Sequence, residues 1–98
     1  MSCFVYQLID VWGDDKPPFY IGISNNPWYR FYSHCHDRSS AAYPLLSVFQ
    51  KYNVPRDEVL SIVRECPTRR EAFDLEYHLV CSTPNLVNRP YVRGRAYA

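Results

Sequence analysis

The sequence predicts an α+β fold, in which a three-stranded antiparallel sheet is flanked by helices. Three segments are rich in strand-forming residues: 3–9 (CFVYQLI), 19–24 (FYIGIS) and 58–66 (EVLSIVREC). The first two are separated by WGDDKPP, which combines a glycine, two aspartates and two prolines and is typical of a loop. Two strands joined by a short loop indicate an antiparallel hairpin.

Helices are expected between and after these strands. The first should begin at Pro27, be capped by Ser24 or Asn25, and run towards His36. A second helix is expected over 41–52, where leucine, valine and phenylalanine recur at helical spacing. These two helices separate the hairpin from the third strand.

The last helix carries a carboxylate in an unusual place. Thr68 should cap this helix, and Glu71 three residues later completes a capping box. On a helical wheel, Glu76 falls in the middle of the apolar arc formed by Ala72, Phe73, Leu79 and Val80. Burying a carboxylate costs several kcal/mol unless a partner compensates it. Either an arginine partner, a position at the rim of the core, or a bound cation would supply that compensation.

The composition describes one small globular domain. Of 98 residues, 47% are hydrophobic and 21% are charged, which excludes a disordered chain. The net charge of +1 excludes a generally basic protein that binds polyanions over its whole surface. No segment has the pattern of a signal peptide, and none approaches the ~20 apolar residues that span a bilayer. We therefore expect no membrane partner and a cytoplasmic, or in a eukaryote nuclear, protein that is not secreted.

The domain is expected over residues 1–90, followed by a short basic tail over 91–98. The stretch NRPYVRGRAYA holds Arg89, Arg93 and Arg95 without any acidic residue. These arginines are candidate contacts for nucleic-acid phosphates. A basic end that is simply solvated is an equally good interpretation.

The cysteines predict reduced thiols rather than a zinc site. The four cysteines have no paired close spacing, and in an intracellular protein they should be reduced. The residues that would have to supply zinc ligands match none of the usual ligand patterns: His34, Cys35, His36, His78 and Cys81. Most of these cysteines are therefore expected to be small core residues.

The second strand has one polar face that is open to a ligand. Because side chains alternate along a strand, Tyr20, Gly22 and Ser24 share one face, and the phenylalanine and isoleucines share the other. The missing side chain at Gly22 leaves room for a close approach to the backbone. In the helix that follows, Arg30 and His34 are four residues apart and point the same way.

Five short motifs follow one another along the chain. They are FVY ending at Tyr6, YIG from Tyr20 to Gly22, the pair Arg30 and His34, LEYHLV around Glu76, and NLVNR around Asn88. This order resembles the GIY-YIG nuclease domain, over about nine tenths of the chain. The family fold that the resemblance implies is a three-stranded antiparallel sheet with flanking helices. The first motif departs from the family pattern, because phenylalanine and valine replace glycine and isoleucine while the tyrosine is kept.

The resemblance implies a metal-dependent DNA endonuclease that hydrolyses phosphodiester bonds. In that interpretation Glu76 holds one Mg²⁺ or Mn²⁺, an ion that keeps several waters and so needs few protein ligands. Arg30, which is always charged, would stabilise the phosphate in the transition state.

The same resemblance assigns roles to the remaining motif residues. Tyr6 or His34 would be the general base: an unperturbed tyrosine has a pKa near 10, and histidine titrates closer to neutral pH. Tyr20 would position the attacking water or a phosphate. Gly22 and Asn88 would support the site.

Two other functions are compatible with the same residues. One is a nucleic-acid-binding module that has lost catalysis, and the other is an unrelated small α+β interaction protein in which the motifs are coincidental. Retention of every polar site residue favours the nuclease. A single active site cuts both DNA strands only as part of two subunits or in two visits, so a homodimer is a further hypothesis.

Overall fold

The structure is a computed structural model that describes residues 2–88, and it confirms the predicted α+β fold. The elements in chain order are β1 (Cys3–Ile9), β2 (Pro18–Ser24), α1 (Pro27–His36), α2 (Tyr43–Lys51), α3 (Arg56–Val59), β3 (Leu60–Cys66) and α4 (Arg69–Ser82). Arg89, Arg93 and Arg95, together with the predicted tail over 91–98, lie outside the described residues.

The sheet has the strand order β2-β1-β3, and both pairings are antiparallel. The predicted hairpin of β1 and β2 is therefore present. In the central strand, Tyr6 stands opposite Gly22 on one side and Ile62 on the other. The register between β1 and β3 shifts at this point, where Val5 is paired with Arg64. Tyr6 consequently occupies the middle of the sheet.

Each face of the sheet carries its own buried cluster. Because side chains alternate along β1, Tyr6 and Leu8 belong to one cluster, while Cys3 and Val5 belong to the other. The first cluster packs against side chains from α1 and α2. The second packs against Ala72 and other apolar residues of α4. The helices therefore cover both faces of the sheet, and an apolar cluster lies between the sheet and the helices on each face.

The segment after α4 closes the open edge of β2. The Val87 backbone N–H donates a hydrogen bond of 2.8 Å to the Phe19 carbonyl. The Asn88 side-chain amide donates one of 2.7 Å to the Ile21 carbonyl. Unpaired edge strands are sites of unwanted strand pairing, and these two bonds satisfy acceptors on that edge.

The third strand begins two residues later than predicted. Residues 56–59 form α3, a single helical turn, and β3 starts at Leu60. Pro55 has an extended backbone that suits the position before a helix, and its carbonyl accepts a 3.1 Å hydrogen bond from Glu58 N–H. Acidic residues in a first turn stabilise the N-terminal end of the helix dipole. This local signal outweighed the strand propensity of 58 and 59.

The cap of α1 also differs from the prediction by one or two residues. Asn26 is the N-cap, and its Oδ1 accepts a 3.1 Å hydrogen bond from the Tyr29 N–H. Ser24 instead accepts a hydrogen bond from the Asn26 N–H at 3.0 Å, which turns the chain out of β2. Ser24 thus forms the turn before the helix, and Asn26 caps the helix. Neither of the two predicted residues, Ser24 or Asn25, is the cap.

The N-terminal cap of α4 generates a stability prediction. Thr68 Oγ1 accepts a 3.2 Å hydrogen bond from Glu71 N–H, as the capping box predicted. We expect Thr68→Ala to lower the free energy of unfolding by about 1 kcal/mol, because one backbone donor loses its acceptor. Urea denaturation measures the change. The control, Thr68→Ser, keeps the hydroxyl and should lose less than half as much; an equal loss in both variants would contradict this role of the hydroxyl.

Candidate active site

Five of the residues singled out in the sequence line one polar cavity of about 440 Å³. Tyr6 comes from β1, Tyr20 and Gly22 from β2, Arg30 from α1 and Glu76 from α4. Four separate elements thus bring two phenols, a guanidinium and a carboxylate to one place. Side chains that are up to 70 residues apart in sequence become neighbours only through the fold.

Gly22 makes room for the Tyr6 phenol. A Cβ atom at this position would lie 2.7 Å from the Tyr6 hydroxyl oxygen and 3.1 Å from the Tyr20 ring. Both distances are shorter than ordinary van der Waals contact. The two tyrosine rings stack with centroids 6.2 Å apart. The expectation of a gap over Gly22 is thus correct in kind, but part of the gap is filled by the protein's own tyrosine.

A buried hydrogen-bond chain runs from Tyr6 into the protein. The Tyr6 hydroxyl lies 2.9 Å from His34 Nε2, and His34 Nδ1 lies 2.6 Å from Ser40 Oγ. Ser40 Oγ also accepts a 3.2 Å hydrogen bond from the Ala42 N–H. His34 is only 4% exposed, so its contact with Tyr6 is buried, whereas its contact with Ser40 is half-buried. The contact between Tyr6 and His34 thus joins the first tyrosine motif on β1 to the histidine on α1.

His34 does not line the cavity that contains Glu76. It lines a second cavity of about 390 Å³, together with Asp37 and three serines between residues 33 and 40. Tyr20 and Arg30 line both cavities and so form the wall between them. His34 consequently reaches the Glu76 cavity through Tyr6.

Both tyrosines hold their protons at neutral pH. Burial is the main cause that raises the pKa of Tyr6, and the neighbouring Tyr20 raises it further. Burial likewise raises the pKa of Tyr20, with a smaller contribution from the charge of Glu76. The Arg30 guanidinium opposes these shifts by lowering the pKa of both phenols, but burial dominates.

His34 is a neutral imidazole at pH 7. Burial, and to a smaller extent the charge of Arg30, lower its pKa to about 4, and Asp37 opposes the shift. A neutral imidazole has one donor and one acceptor nitrogen. We assign the proton to Nδ1, donating to Ser40 Oγ, which leaves Nε2 to accept the hydrogen bond from the Tyr6 hydroxyl. In this arrangement both partners of the hydrogen bond are neutral at pH 7.

Glu76 is half-buried rather than fully buried. Its neighbours Ala72 and Val80 belong to the core, as the helical wheel predicted. Glu76 itself faces the cavity, with Arg69 and Phe73 along the same side of α4. A place at the rim of the core is one of the compensations considered for this carboxylate, and two arginines, Arg30 and Arg69, line the same cavity.

The remaining predicted residues divide into two groups. Asn88 is buried, braces the β2 edge through Ile21 and lines the second cavity, not the one with Glu76. The candidate zinc ligands do not gather: among residues 2–88 no group of three or more histidine, cysteine, aspartate or glutamate side chains is placed to hold a metal. Cys35 is a core residue, and burial raises the pKa of its thiol.

The sequence interpretation missed three residues of the site. Arg69 and Phe73 precede Glu76 by seven and three residues, so their helical spacing already placed them on one side of α4. Ser40, which holds His34, lies in an irregular segment between α1 and α2, and no sequence pattern pointed to it.

Comparison with known families agrees with this geometry. The family model described as the GIY-YIG catalytic domain matches residues 2–88. The chain belongs to the GIY-YIG family. The match covers nearly the whole chain, and it confirms the resemblance that the five motifs indicated. GIY-YIG domains are nucleases that act on DNA and generally use divalent metals, so this chain carries a nuclease domain.

No curated protein and no solved structure matches the GIY-YIG chain. Within residues 2–88, every helix is too short or too polar to cross a membrane.

The buried state of His34 predicts how stability depends on pH. Its pKa is about 4 in the folded protein and 6.5 in its ordinary state, so between these values the unfolded chain binds more protons. Stability should therefore fall as the pH is lowered from 6.5 to 4, by about 3 kcal/mol from this group. Denaturant titrations at several pH values would measure this fall.

The matched variants for this pH experiment are His34→Gln and His36→Gln. The first removes the buried imidazole, so much of the acid-dependent fall should disappear. The second removes an exposed imidazole of the same helix. If both variants kept the same pH dependence as the natural protein, the buried neutral His34 would not be its source.

Proposed function

We propose that this GIY-YIG protein is a divalent-metal-dependent DNA endonuclease that hydrolyses a phosphodiester bond in the Glu76 cavity. The observation that carries the proposal is the convergence of a carboxylate, a guanidinium and two phenols on one polar cavity. Phosphodiester hydrolysis needs charge stabilisation on the phosphate, an activated water and help for the leaving oxygen. The residues of this cavity have the chemical types for each of these tasks.

Glu76 is the residue that would hold the metal ion. Its carboxylate faces a cavity with room for a phosphate and ordered waters, and carboxylate oxygens are the ligands preferred by Mg²⁺ and Mn²⁺. A single protein carboxylate fits Mg²⁺ because this ion keeps several waters and is commonly bound by one or two carboxylates with substrate phosphates. When bound, the ion supplies Lewis-acid stabilisation of the phosphate and of the leaving oxygen.

Arg30 would bind the scissile phosphate from the side of α1. Its guanidinium is always charged and presents a fork of donors that matches phosphate oxygens. The neighbouring phenols of Tyr6 and Tyr20 are neutral at pH 7, so they leave the arginine charge available for the substrate. Arg69, at the start of α4, lies on the same cavity and adds a second cation.

Tyr6 and His34 would act together on the attacking water. The raised pKa of Tyr6 means that the phenol is protonated before reaction. As the water oxygen bonds to phosphorus, the P–O bond to the leaving sugar oxygen breaks, and that oxygen takes a proton from solvent. The attacking water gives its proton to the Tyr6 oxygen, and Tyr6 gives its own proton to His34 Nε2 at 2.9 Å. The proton ends on His34, which Ser40 orients. In place of a choice between Tyr6 and His34 as the base, we propose a proton relay in which His34 is the final acceptor.

A DNA duplex has two strands to cut, and this chain has one Glu76 cavity. The homodimer therefore remains a hypothesis, which the products of plasmid cleavage address: a monomer that acts once leaves a nicked circle. The basic segment with Arg89, Arg93 and Arg95 is proposed to contact phosphates outside the cavity.

The Glu76 carboxylate generates the first functional test. We expect Glu76→Gln to reduce plasmid cleavage in Mg²⁺ or Mn²⁺ by about 100-fold or more, because the metal loses its charged ligand while the side-chain shape is kept. EDTA should abolish cleavage by the natural protein. The control is Asp74→Asn, which removes an exposed carboxylate of the same helix and should cleave normally.

The same variants, measured for both DNA binding and DNA cleavage, distinguish a nuclease from a binding module that has lost catalysis. Binding of DNA without cleavage in Mg²⁺ or Mn²⁺, at equal affinity for the natural protein and Glu76→Gln, would favour that module. Metal-dependent cleavage that survives in Glu76→Gln would instead place the ion on other residues.

A further inference from the structure

A row of aromatic rings runs along the exposed side of α1. Tyr29 and Tyr32 are 68% and 59% exposed, and their rings stack with centroids 6.4 Å apart and planes inclined by 30°. The His36 ring continues the row, 4.2 Å from Tyr32 at 33°. We call Tyr29, Tyr32 and His36 the aromatic stripe. Their spacing of three and four residues places them on one side of the helix.

The aromatic stripe is not explained by packing. Trp28 on the same helix is half-exposed, but its ring packs edge-on against Phe4 of β1. Within residues 2–88, the tyrosines of the stripe belong to neither buried cluster, and their ring contacts are with members of the stripe. His36 Nδ1 donates a 2.8 Å hydrogen bond to the Tyr32 carbonyl, which fixes the orientation of its ring. The stripe is therefore an ordered, solvent-facing set of π-surfaces.

The charge around the aromatic stripe favours an anionic ligand. The segment Pro27–His36 contains Arg30 and no acidic residue, and Asp37 and Arg38 follow it with opposite charges. Arg30 is adjacent in sequence to Tyr29, and its guanidinium reaches the Glu76 cavity. Arg30 and the stripe lie on different sides of α1, and a helix is about 10 Å wide with its side chains. A ligand that extends from the Glu76 cavity around α1 would contact the Arg30 guanidinium first and the aromatic rings next.

We propose that the aromatic stripe stacks unpaired bases of the DNA strand whose phosphate lies in the Glu76 cavity. The substrate is then DNA with a single-stranded segment beside the cut, such as a flap or a branch. Stacking on aromatic rings beside a cationic groove is the general way in which proteins bind single strands, because every base has a π-face. The inference rests on the proposed endonuclease function, since it takes the scissile phosphate to be bound at Arg30.

The aromatic stripe offers little to an intact duplex. In a duplex the bases are paired and stacked on one another, and a protein surface contacts mainly phosphates and groove edges. Exposed tyrosine rings do not neutralise phosphates. The stripe is thus expected to discriminate between single-stranded and double-stranded DNA rather than to strengthen all DNA binding.

The test compares binding of three fluorescent probes in EDTA, where cleavage does not interfere. The probes are a single strand, the blunt duplex of the same sequence, and that duplex with a single-stranded flap. The variants are the double substitution Tyr29→Ala with Tyr32→Ala, the matched double substitution to Phe, and Tyr52→Ala. Tyr52 is also exposed, but it lies after α2 and packs against Trp12.

We expect the double alanine variant to lose about 10- to 100-fold in affinity for the single strand and the flap, since each stacked base contributes about 1–3 kcal/mol. Affinity for the blunt duplex should change less than threefold. The double phenylalanine variant keeps the rings and should keep the affinity. The fluorescence of 2-aminopurine, a base analogue placed in the flap, should be quenched by the natural protein and by the phenylalanine variant. The alanine variant should not quench it.

Four results would overturn the inference. One is equal binding of single strand and duplex by the natural protein; another is an equal loss for both DNAs in the alanine variant. The third is a loss in Tyr52→Ala as large as in the stripe variant. Recruitment of another protein by the stripe would appear as unchanged DNA binding in all variants, which also counts against the proposal.

Failure of this inference and failure of the proposed function give different results. If the stripe does not stack bases, the natural protein still cleaves DNA in Mg²⁺, Glu76→Gln does not, and the alanine variant cuts flap and duplex in the natural ratio. If the protein is not a nuclease, no DNA is cut, but the binding and 2-aminopurine measurements still decide whether the stripe takes unpaired bases.

Discussion

The structure depends on the close contact between Tyr6 and Gly22 in neighbouring strands. Only the absence of a side chain at Gly22 lets the phenol lie over β2, because a Cβ atom there would be 2.7 Å from the phenol oxygen. In this position the hydroxyl reaches His34 on α1. The same phenol is part of a buried cluster and of the cavity wall, so packing of the core and geometry of the site are set by one contact.

The edge strand β2 explains how a domain of this size builds a site from distant segments. On one side β2 pairs with β1, and on its open side the segment ending at Asn88 satisfies the carbonyls of Phe19 and Ile21. Closing this edge holds the C-terminal segment beside the strand that carries Tyr20 and Gly22. A small domain buries little surface, so each element here contributes both to stability and to the site.

The polar residues of the site fall into a neutral set and a charged set. Burial keeps the two phenols and the His34 imidazole neutral at pH 7, so the charged groups that line the Glu76 cavity are Arg30, Arg69 and Glu76. Neutral groups in a hydrogen-bonded chain are suited to passing a proton, whereas fixed charges are suited to holding a metal ion and a phosphate. Arg30 lines both cavities, so it lies beside the neutral hydrogen-bonded groups and also beside the charged ones.

The sequence alone determined the strands of the hairpin, the helix over Pro27–His36, and the family, because periodicity, capping residues and ordered motifs are local signals. It also placed Glu76 on the apolar side of α4. The start of β3 was predicted two residues too early, because residues 56–59 form one helical turn after Pro55 instead of continuing the strand. Only the tertiary structure decided that Glu76 is half-buried, that His34 contacts Tyr6 rather than the Glu76 cavity, and that Ser40 holds His34. These facts depend on distances between segments far apart in the chain, and no local pattern encodes such distances.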